Sequence, residues 1–172
     1  QGIESVLRES RVFNPPTDFG EKNGGAWIAS MDDYLAQWRR SIEEPEAFWG
    51  EVAREHRWMK PFTEVLDWKC PDARWFADGK TNLCDNCVDR HVDEGHGDET
   101  GIIWEGEPVG DDGPEVLRLS YRDLQRETAR FGNALKSLGV GKGDIVTIYM
   151  GMVPEVSIAM LACARIGAAH SV

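Results

Sequence analysis

The stretch IVTIYMGMVPEVSIAMLACARIGAAHSV, residues 145–172, decides the fold class of this chain. Residues 145–149 form a short apolar run rich in β-branched side chains, which is typical of a buried strand. Pro154 suits the first turn of a helix and Gly167 suits the position just after one. Residues 168–172 begin another strand. Strand, helix and strand at this spacing predict a βαβ unit with two parallel strands.

The residues before this unit predict a β-hairpin followed by an amphipathic helix. Residues 101–105 and 115–119 read as two strands, joined by a turn-rich loop over residues 106–114. Ser120 and Asp123 match a capping box. The predicted helix ends at Gly139, a usual helix-end residue. Its expected apolar face comprises Leu124, Thr128, Phe131, Leu135 and Leu138.

The first hundred residues follow a different pattern. Residues 1–30 contain several Pro and Gly turn signals and predict an extended arm. Two helices follow, separated at Pro45, and their aromatic stripe around Trp38 and Trp49 indicates a core-facing surface. Residues 58–81 predict an irregular connection held by aromatic side chains. Asn82 caps a short helix that we expect to end near Val92, before a polar loop to Thr100.

These elements together predict an α/β fold. An N-terminal helical extension, residues 1–100, precedes the start of a partly parallel sheet with flanking helices, residues 101–172. Both faces of a parallel sheet normally need helical cover. The sheet predicted here is unfinished, so we expect a truncated α/β domain, and an unpaired strand edge at residues 168–172 predicts self-association.

The amino-acid composition of the chain disfavours some classes of binding partner. The chain has 30 acidic and 19 basic side chains, a formal net charge of −11, which disfavours nucleic acid and anionic membrane surfaces as partners. No apolar run is long enough to span a bilayer. Four cysteines in 172 residues are too few for a disulfide scaffold, so a reducing cytoplasm is the expected compartment.

One cysteine cluster offers candidate metal ligands. On an α-helix, Cys84, Cys87 and His91 would share one face, and Cys70 could complete a tetrahedral zinc set. A strong zinc pattern has two such pairs, whereas this chain has one. Two small buried cysteines on a helix are therefore the favoured interpretation, and we expect no metal site.

The remaining motifs carry no recognisable catalytic pattern. Residues 139–143, GVGKG, follow a helix and precede a strand, so they predict a helix-ending turn and not a phosphate loop. The sequence contains no nucleophile elbow and no dinucleotide fingerprint. His170, in the last predicted strand, is assigned a structural role. We therefore name no catalytic residue and leave any cofactor-binding residues unknown.

Several segments resemble the AMP-forming acetyl-CoA synthetases. Residues 102–106 (IIWEG), 119–124 (LSYRDL), 140–144 (VGKGD) and 86–91 (NCVDRH) are similar to segments of that family. The most specific resemblance covers residues 148–155 (IYMGMVPE) and 159–172. One departure is Gly151, where the family usually has proline, and this frees the loop there.

The resemblance implies a two-step ligase. Acetate and ATP, with Mg²⁺, would form acetyl-adenylate, and coenzyme A would then displace AMP. The family's phosphate-binding loop, adenine site, carboxylate pocket and C-terminal lysine have no counterpart in these 172 residues. The expected role of this chain is therefore that of an inactive N-terminal part. Its partner would be the rest of the parent enzyme, with residues 154–172 as a support for the site.

Two other functions stay open at this stage. A stand-alone module could bind a protein through the aromatic side chains of residues 27–76. A small zinc-binding domain could form on Cys70, Cys84, Cys87 and His91. The sequence does not decide between acetate and propionate as substrate, nor does it fix the natural length, the oligomeric state or regulation by lysine acylation.

Overall fold

Two helices begin the N-terminal half of the chain. The computed structural model describes residues 11, 13, 26–108 and 113–172, so most of the predicted arm over residues 1–30 lies outside the described residues. Helix α1 spans Met31–Glu43 and helix α2 spans Pro45–Arg54, which confirms both predicted helices and the break at Pro45. The Ser30 hydroxyl caps α1 by accepting a hydrogen bond from the Asp33 amide at 3.1 Å.

The chain divides into two units, residues 1–49 and 50–172. None of the residues of α1 is buried, so the prediction that its aromatic stripe faces a core is wrong for α1. Helical periodicity identifies the apolar stripe of α1 correctly, but burial also requires a second apolar layer against it. The described residues of the first unit do not supply that layer.

The predicted aromatic connection contains a β-hairpin that the sequence did not reveal. Strand β1, Leu66–Lys69, pairs antiparallel with β2, Asp72–Trp75. The rings of Trp58, Phe62 and Phe76 form an aromatic cluster, with centroids 4.8 to 5.7 Å apart. The aromatic connection is therefore confirmed. The hairpin escaped prediction because its strands are only four residues long and mostly exposed.

Residues 83–96 form one helical segment, which we call the π-helical segment. Asn82 caps it as predicted, because its Oδ1 accepts a hydrogen bond from the Asp85 amide at 3.2 Å. The segment contains π-helical turns at Asp85–Asp89 and Val92–His96, and it ends four residues later than the predicted Val92. The predicted loop over residues 91–100 is therefore wrong as far as residue 96, because residues 92–96 form a π-helical turn, a rare conformation.

The antiparallel hairpin predicted for the second half is present. Strand β3, Thr100–Pro108, pairs with β4, Pro114–Ser120, so the strands extend further than predicted and the loop is shorter. Residues 109–112 of that loop lie outside the described residues. Helix α3, Tyr121–Ser137, then begins with the predicted capping box. The Ser120 hydroxyl accepts from the Asp123 amide, and the Asp123 carboxylate accepts from the Ser120 amide, both at 3.1 Å.

The βαβ unit is also present. Strand β5, Ile145–Thr147, pairs in parallel with β6, Ala169–Ser171, and helix α4, Pro154–Ile166, joins them. Gly167 ends α4 in a left-handed conformation with φ of 79°. The prediction that residues 145–149 are buried is confirmed at Ile148, and Val146 is partly buried against the core, but Ile145 is 73% exposed and Tyr149 fully exposed, so the prediction is wrong for these two. Side chains alternate between the faces of a strand, and only one face is packed against helices here.

Helices α3 and α4 pack against each other and enclose the core of the second unit. One buried cluster comprises Leu135, Ala162, Cys163 and Ala168, and another comprises Cys84, Val88 and Leu124 from the π-helical segment and α3. Helix α3 buries Leu124, Thr128, Gly132 and Leu135, as the periodicity predicts apart from Gly132. Phe131 and Leu138 are wrongly predicted to be buried, since they are 39% and 80% exposed and lie beside that face.

Among the described residues, no helix combines the length and hydropathy that crossing a bilayer requires.

Candidate functional site

The carboxyl ends of the parallel strands β5 and β6 form a candidate ligand-binding edge. Ligands of α/β proteins bind beyond the carboxyl ends of parallel strands. The Ile148 amide donates to the Ser171 carbonyl at 2.8 Å and so extends the pairing to this edge. The chain then enters an exposed loop at residues 149–153, which is held by a hydrogen bond from the Trp104 indole to the Met152 carbonyl at 2.8 Å.

A groove of about 650 Å³ adjoins this loop, between β4, α3 and α4. Its apolar wall is formed by side chains that include Leu119, Phe131, Met150 and Ile158. Its volume falls within the range of small-molecule sites. The groove can therefore hold apolar surface, either of a ligand or of another segment of polypeptide.

Three charged side chains that line this groove, Arg126, Glu127 and Arg130, take part in ion pairs. Arg126 contacts Asp123 at 2.9 Å and Glu127 at 3.0 Å, and Arg130 contacts Glu127 at 3.2 Å. The hydrogen bond from Arg126 lowers the pKa of Glu127, and the bond to Glu127 raises the pKa of Arg126. A carboxylate with a lowered pKa is a weak base at neutral pH.

A second polar cluster joins the π-helical segment to α3 and α4. Arg165 Nη2 and Gln125 Nε2 both donate to the same oxygen of Asp89, each at 2.9 Å. Burial alone would lower the pKa of Arg165, but the hydrogen bond with Asp89 and the electrostatic interactions with Cys84 and Asp89 together offset that effect, and the pKa is raised. Asn82 adds two hydrogen bonds, to the carbonyls of Ala164 and Arg165, at 3.1 Å each. The cluster fixes the direction of α4 beneath the parallel strands.

Sequence reasoning did not find this cluster. Asp89 and Arg165 are 76 positions apart, and no local pattern connects them. One signal was present, because Arg165 interrupts the most apolar stretch of the chain. A charged residue in such a stretch is rarely buried without a partner. The sequence therefore indicates that a partner exists, but not which residue it is.

The structure does not assemble the candidate zinc ligands. Cys84 is buried while Cys87 and Cys70 are exposed, and the His91 ring stacks on Tyr121 with centroids 4.5 Å apart. Burial raises the pKa of Cys84 to about 11, so the thiol is protonated at neutral pH. Within the described ranges, no three His, Cys, Asp or Glu side chains form a group that could hold a metal ion. The π-helical turns alter the angular spacing that an α-helix would have given these residues.

The other candidate positions have structural surroundings. His170 lies half-buried in β6, directly opposite Val146 of β5. Residues 139–143 form the predicted helix-ending turn, with positive φ angles at Gly139 and Gly143 of 88° and 94°.

Comparison with known proteins identifies the class first. Residues 89–172, which include the hairpin β3–β4 and the βαβ unit, match the family model for AMP-binding enzymes. Residues 34–87 match the model for the acetyl-coenzyme A synthetase N-terminus. The two matches follow one another along the chain with one residue between them.

Comparison with full-length relatives identifies the family within the class of AMP-binding enzymes. Acetyl-coenzyme A synthetases of Rhodopirellula baltica and Deinococcus radiodurans are 50% and 47% identical to the chain over 99% of its length, and that of Chlorobaculum tepidum is 43% identical over all of it. The chain spans about a quarter of the length of these relatives, 25% in each case. The chain therefore belongs to the acetyl-coenzyme A synthetase family of AMP-binding enzymes.

Proposed function

We propose that this chain is the N-terminal part of an acetate–CoA ligase that forms acetyl-CoA from acetate, ATP and coenzyme A through an acetyl-adenylate. The observation that carries the proposal is the identity of 43% to 50% with proteins named acetyl-coenzyme A synthetase, maintained across nearly the whole chain. ATP with Mg²⁺ and coenzyme A would be the cofactors of the whole enzyme. Because no catalytic residue is assigned in these 172 residues, the ligase activity requires the remainder of such an enzyme.

The role of this chain in the ligase would be that of a scaffold. Helix α4 and strand β6 lead to the carboxyl edge of the parallel strands, where α/β enzymes bind ligands. The Asp89–Arg165 pair and the Asn82 hydrogen bonds hold α4 in position. The buried side chains of Ala162 and Cys163 pack in one cluster with Leu135 of α3, which joins α4 to α3. Correct placement of this edge, rather than chemistry at it, is the proposed contribution.

We also propose that the chain consists of two regions with a boundary at residue 100. Residues 1–100 would form the synthetase-type extension and residues 101–172 the start of the AMP-binding α/β domain. The order of the two family matches, which meet at residue 88, supports an extension that precedes the α/β domain. The π-helical segment packs against Leu124 and partly buried residues of α4, which would attach the extension firmly to the α/β domain.

A chimeric enzyme tests the proposed function. Residues 1–172 replace the matching segment of the Rhodopirellula baltica synthetase, and acetyl-CoA formation is measured with and without acetate, ATP or coenzyme A. We expect the chimera to require all three, and the 172-residue chain alone to form none. A folded chimera without acetate-dependent activity, or activity of the chain alone, would overturn the proposal.

Two cysteines provide a matched control for the scaffold role. Cys163→Asp places a charge at a fully buried position between α3 and α4, whereas Cys70→Asp makes the same change at an exposed position. We expect Cys163→Asp to abolish the activity of the chimera and Cys70→Asp to leave it unchanged. Equal effects of the two substitutions would contradict the assignment of the α3–α4 core to the scaffold.

The isolated chain is expected to self-associate. Apolar side chains on the side of β5 and its following loop are open to solvent, among them Ile145, Tyr149 and Met152. Contiguous apolar surface of this kind favours association. Light scattering should detect oligomers of the isolated chain, while the chimera, in which the remaining polypeptide can cover this face, should show less association per chain. A monomeric isolated chain at high concentration would contradict this expectation.

Compartment and other partners follow from charge and cysteine content. We propose a cytoplasmic protein, supported by four free cysteines, two of them buried. A formal net charge of −11 supports the absence of nucleic acid and anionic membranes among its partners.

A further inference from the structure

The loop over residues 149–153 lies at the candidate ligand-binding edge and connects two buried residues. Ile148 follows β5 directly, and Pro154 is the first residue of α4. Between these anchors the loop is open to solvent, since Tyr149 is fully exposed and Met152 is 88% exposed. The packing of β5 and α4 therefore fixes the two ends of the loop but not its middle.

The middle of the loop has a backbone with much conformational freedom. Glycine has the widest range of accessible φ and ψ angles, and a Cβ added to Gly151 would meet no atom within 4 Å. The Val153 amide donates to the Gly151 carbonyl at 2.9 Å, which is a contact within the loop itself. Such a loop keeps one conformation only when further contacts offset the conformational entropy that is lost.

The indole of Trp104 supplies a contact from outside the loop. Its Nε1 donates to the Met152 carbonyl at 2.8 Å, a length typical of an N–H···O hydrogen bond. Within the described residues, β3 and β5 belong to separate sheets, so strand pairing does not link the β3–β4 hairpin to this loop. The hydrogen bond of Trp104 provides that link.

The position of the indole is set by the core and by a glycine. Ile102, on the same face of β3 as Trp104, packs against the buried cluster that contains Leu124. A Cβ at Gly106, two residues further along that face, would lie 2.8 Å from the Trp104 ring. The ring therefore occupies space that a larger residue at position 106 would take. The core fixes the hairpin, the hairpin fixes the indole, and the indole holds the loop.

We propose that Trp104 is a positioning residue, which holds the loop over residues 149–153 in the conformation that binds substrate at the candidate ligand-binding edge. The identity of the substrates rests on the proposed ligase function, but the effect of Trp104 on the loop does not. When only a fraction of molecules has a binding-competent loop, the apparent dissociation constant rises in inverse proportion to that fraction. Loss of this hydrogen bond therefore raises KM and leaves kcat unchanged.

Limited proteolysis of the 172-residue chain in dilute solution tests the effect on the loop without any ligase activity. Chymotrypsin cleaves after aromatic residues, and mass spectrometry measures the rate of cleavage after Tyr149. Trp104→Phe removes the donor and keeps an aromatic ring, so we expect cleavage there to be about fivefold faster, as for the loss of one ordinary hydrogen bond. Cleavage after Phe131, within α3, should not accelerate.

Two further variants complete the proteolysis experiment. Gly106→Ala keeps the indole of Trp104 but displaces it, so it should also accelerate cleavage after Tyr149. Trp68→Phe is the matched control, because it makes the same change in β1 at a side chain that is 61% exposed. We expect this control to leave the rate of cleavage after Tyr149 unchanged.

Kinetics of the chimeric enzyme test the effect on substrate binding. Trp104→Phe should raise the KM of at least one of acetate, ATP and coenzyme A about fivefold, while kcat stays within about twofold. Trp68→Phe should change neither constant. A residue that only stabilised the fold would not separate KM from kcat in this way.

Three results would overturn the inference. These are an unchanged rate of cleavage after Tyr149 in Trp104→Phe, an equal acceleration of cleavage after Phe131, and an active chimera in which Trp104→Phe raises no KM. An inactive chimera without substitutions would instead contradict the proposed function. In that case the cleavage rates would still decide whether Trp104 holds the loop.

Discussion

The helical core and the aromatic connection reach stability by different means. In the helical core, small side chains pack α3, α4 and the π-helical segment together until Cys84, Val88, Ala162 and Cys163 are almost completely buried. In the aromatic cluster, Trp58, Phe62 and Phe76 are larger but each stays partly exposed. Hydrogen bonds from polar side chains also hold the aromatic connection together. Burial of apolar surface therefore dominates in one region, and specific hydrogen bonds and ring contacts dominate in the other.

The largest effect is expected from a cavity in the helical core. Leu124 is buried among Cys84, Val88 and side chains of α4, so Leu124→Ala should lower the free energy of unfolding by about 3 kcal/mol. Leu138→Ala is the matched control on the same chain segment, because Leu138 is exposed, and it should change stability by less than about 0.5 kcal/mol. Urea unfolding measures both. Similar losses would mean that Leu124 does not belong to a packed core.

The hydrogen bonds of Asn86 with Arg57 and Thr81, which we call the polar clamp, provide the next test. Asn86 Oδ1 accepts from the Arg57 amide at 2.7 Å, and its Nδ2 donates to the Arg57 carbonyl at 2.9 Å and to Thr81 Oγ1 at 3.0 Å. Asn86→Ala leaves the Arg57 amide without this acceptor, while the Arg57 carbonyl keeps only the hydrogen bond from Thr81 Oγ1 at 2.9 Å. We therefore expect a loss of about 2 kcal/mol in urea unfolding. Asn133→Ala, at an exposed position on α3, should have little effect. If the two variants unfold alike, the clamp contributes little.

Steric contact in the aromatic connection can be tested separately from its hydrogen bonds. Gly79→Ala would place a methyl group 2.5 Å from the Trp58 ring, and relieving this clash should cost about 1–2 kcal/mol. Gly151→Ala introduces the same methyl group where no atom lies within 4 Å. We expect near-neutral stability for that control. The difference between their thermal midpoints measures how tightly the rings are packed.

Local features of this fold were predictable, whereas contacts between distant residues were not. The capping box at Ser120 and the helix limits at Pro154 and Gly167 depend on residues within one turn, and the structure confirms them. The exposure of Ile145 and Tyr149 depends on which faces are covered, and strand periodicity does not contain that information.

The same limit applies to the candidate site. The position of the parallel strand ends followed from the βαβ pattern, but the joining of Asp89 and Arg165 did not, because 76 positions separate them. The π-helical turns were also not predicted from the sequence. An α-helical spacing placed Cys84 and Cys87 on one face, and the wider turns put one inside and the other outside.

The smallest effect is expected from the dependence of the free energy of unfolding on pH. The Thr63 hydroxyl and amide both donate to Asp78 in the aromatic connection, at 2.7 and 3.0 Å, and these bonds lower the pKa of Asp78 below its ordinary value of 3.8. A folded-state pKa below the unfolded one means stabilisation that is complete above the unfolded pKa and is lost as pH falls through the folded pKa. Asp78→Asn should therefore flatten the decline in stability as the pH falls from about 5 to about 2. Asp72→Asn, at an exposed carboxylate for which no hydrogen bond is found among the described residues, serves as control. If both variants keep the original decline in urea unfolding across this pH range, the bonds from Thr63 do not stabilise the connection.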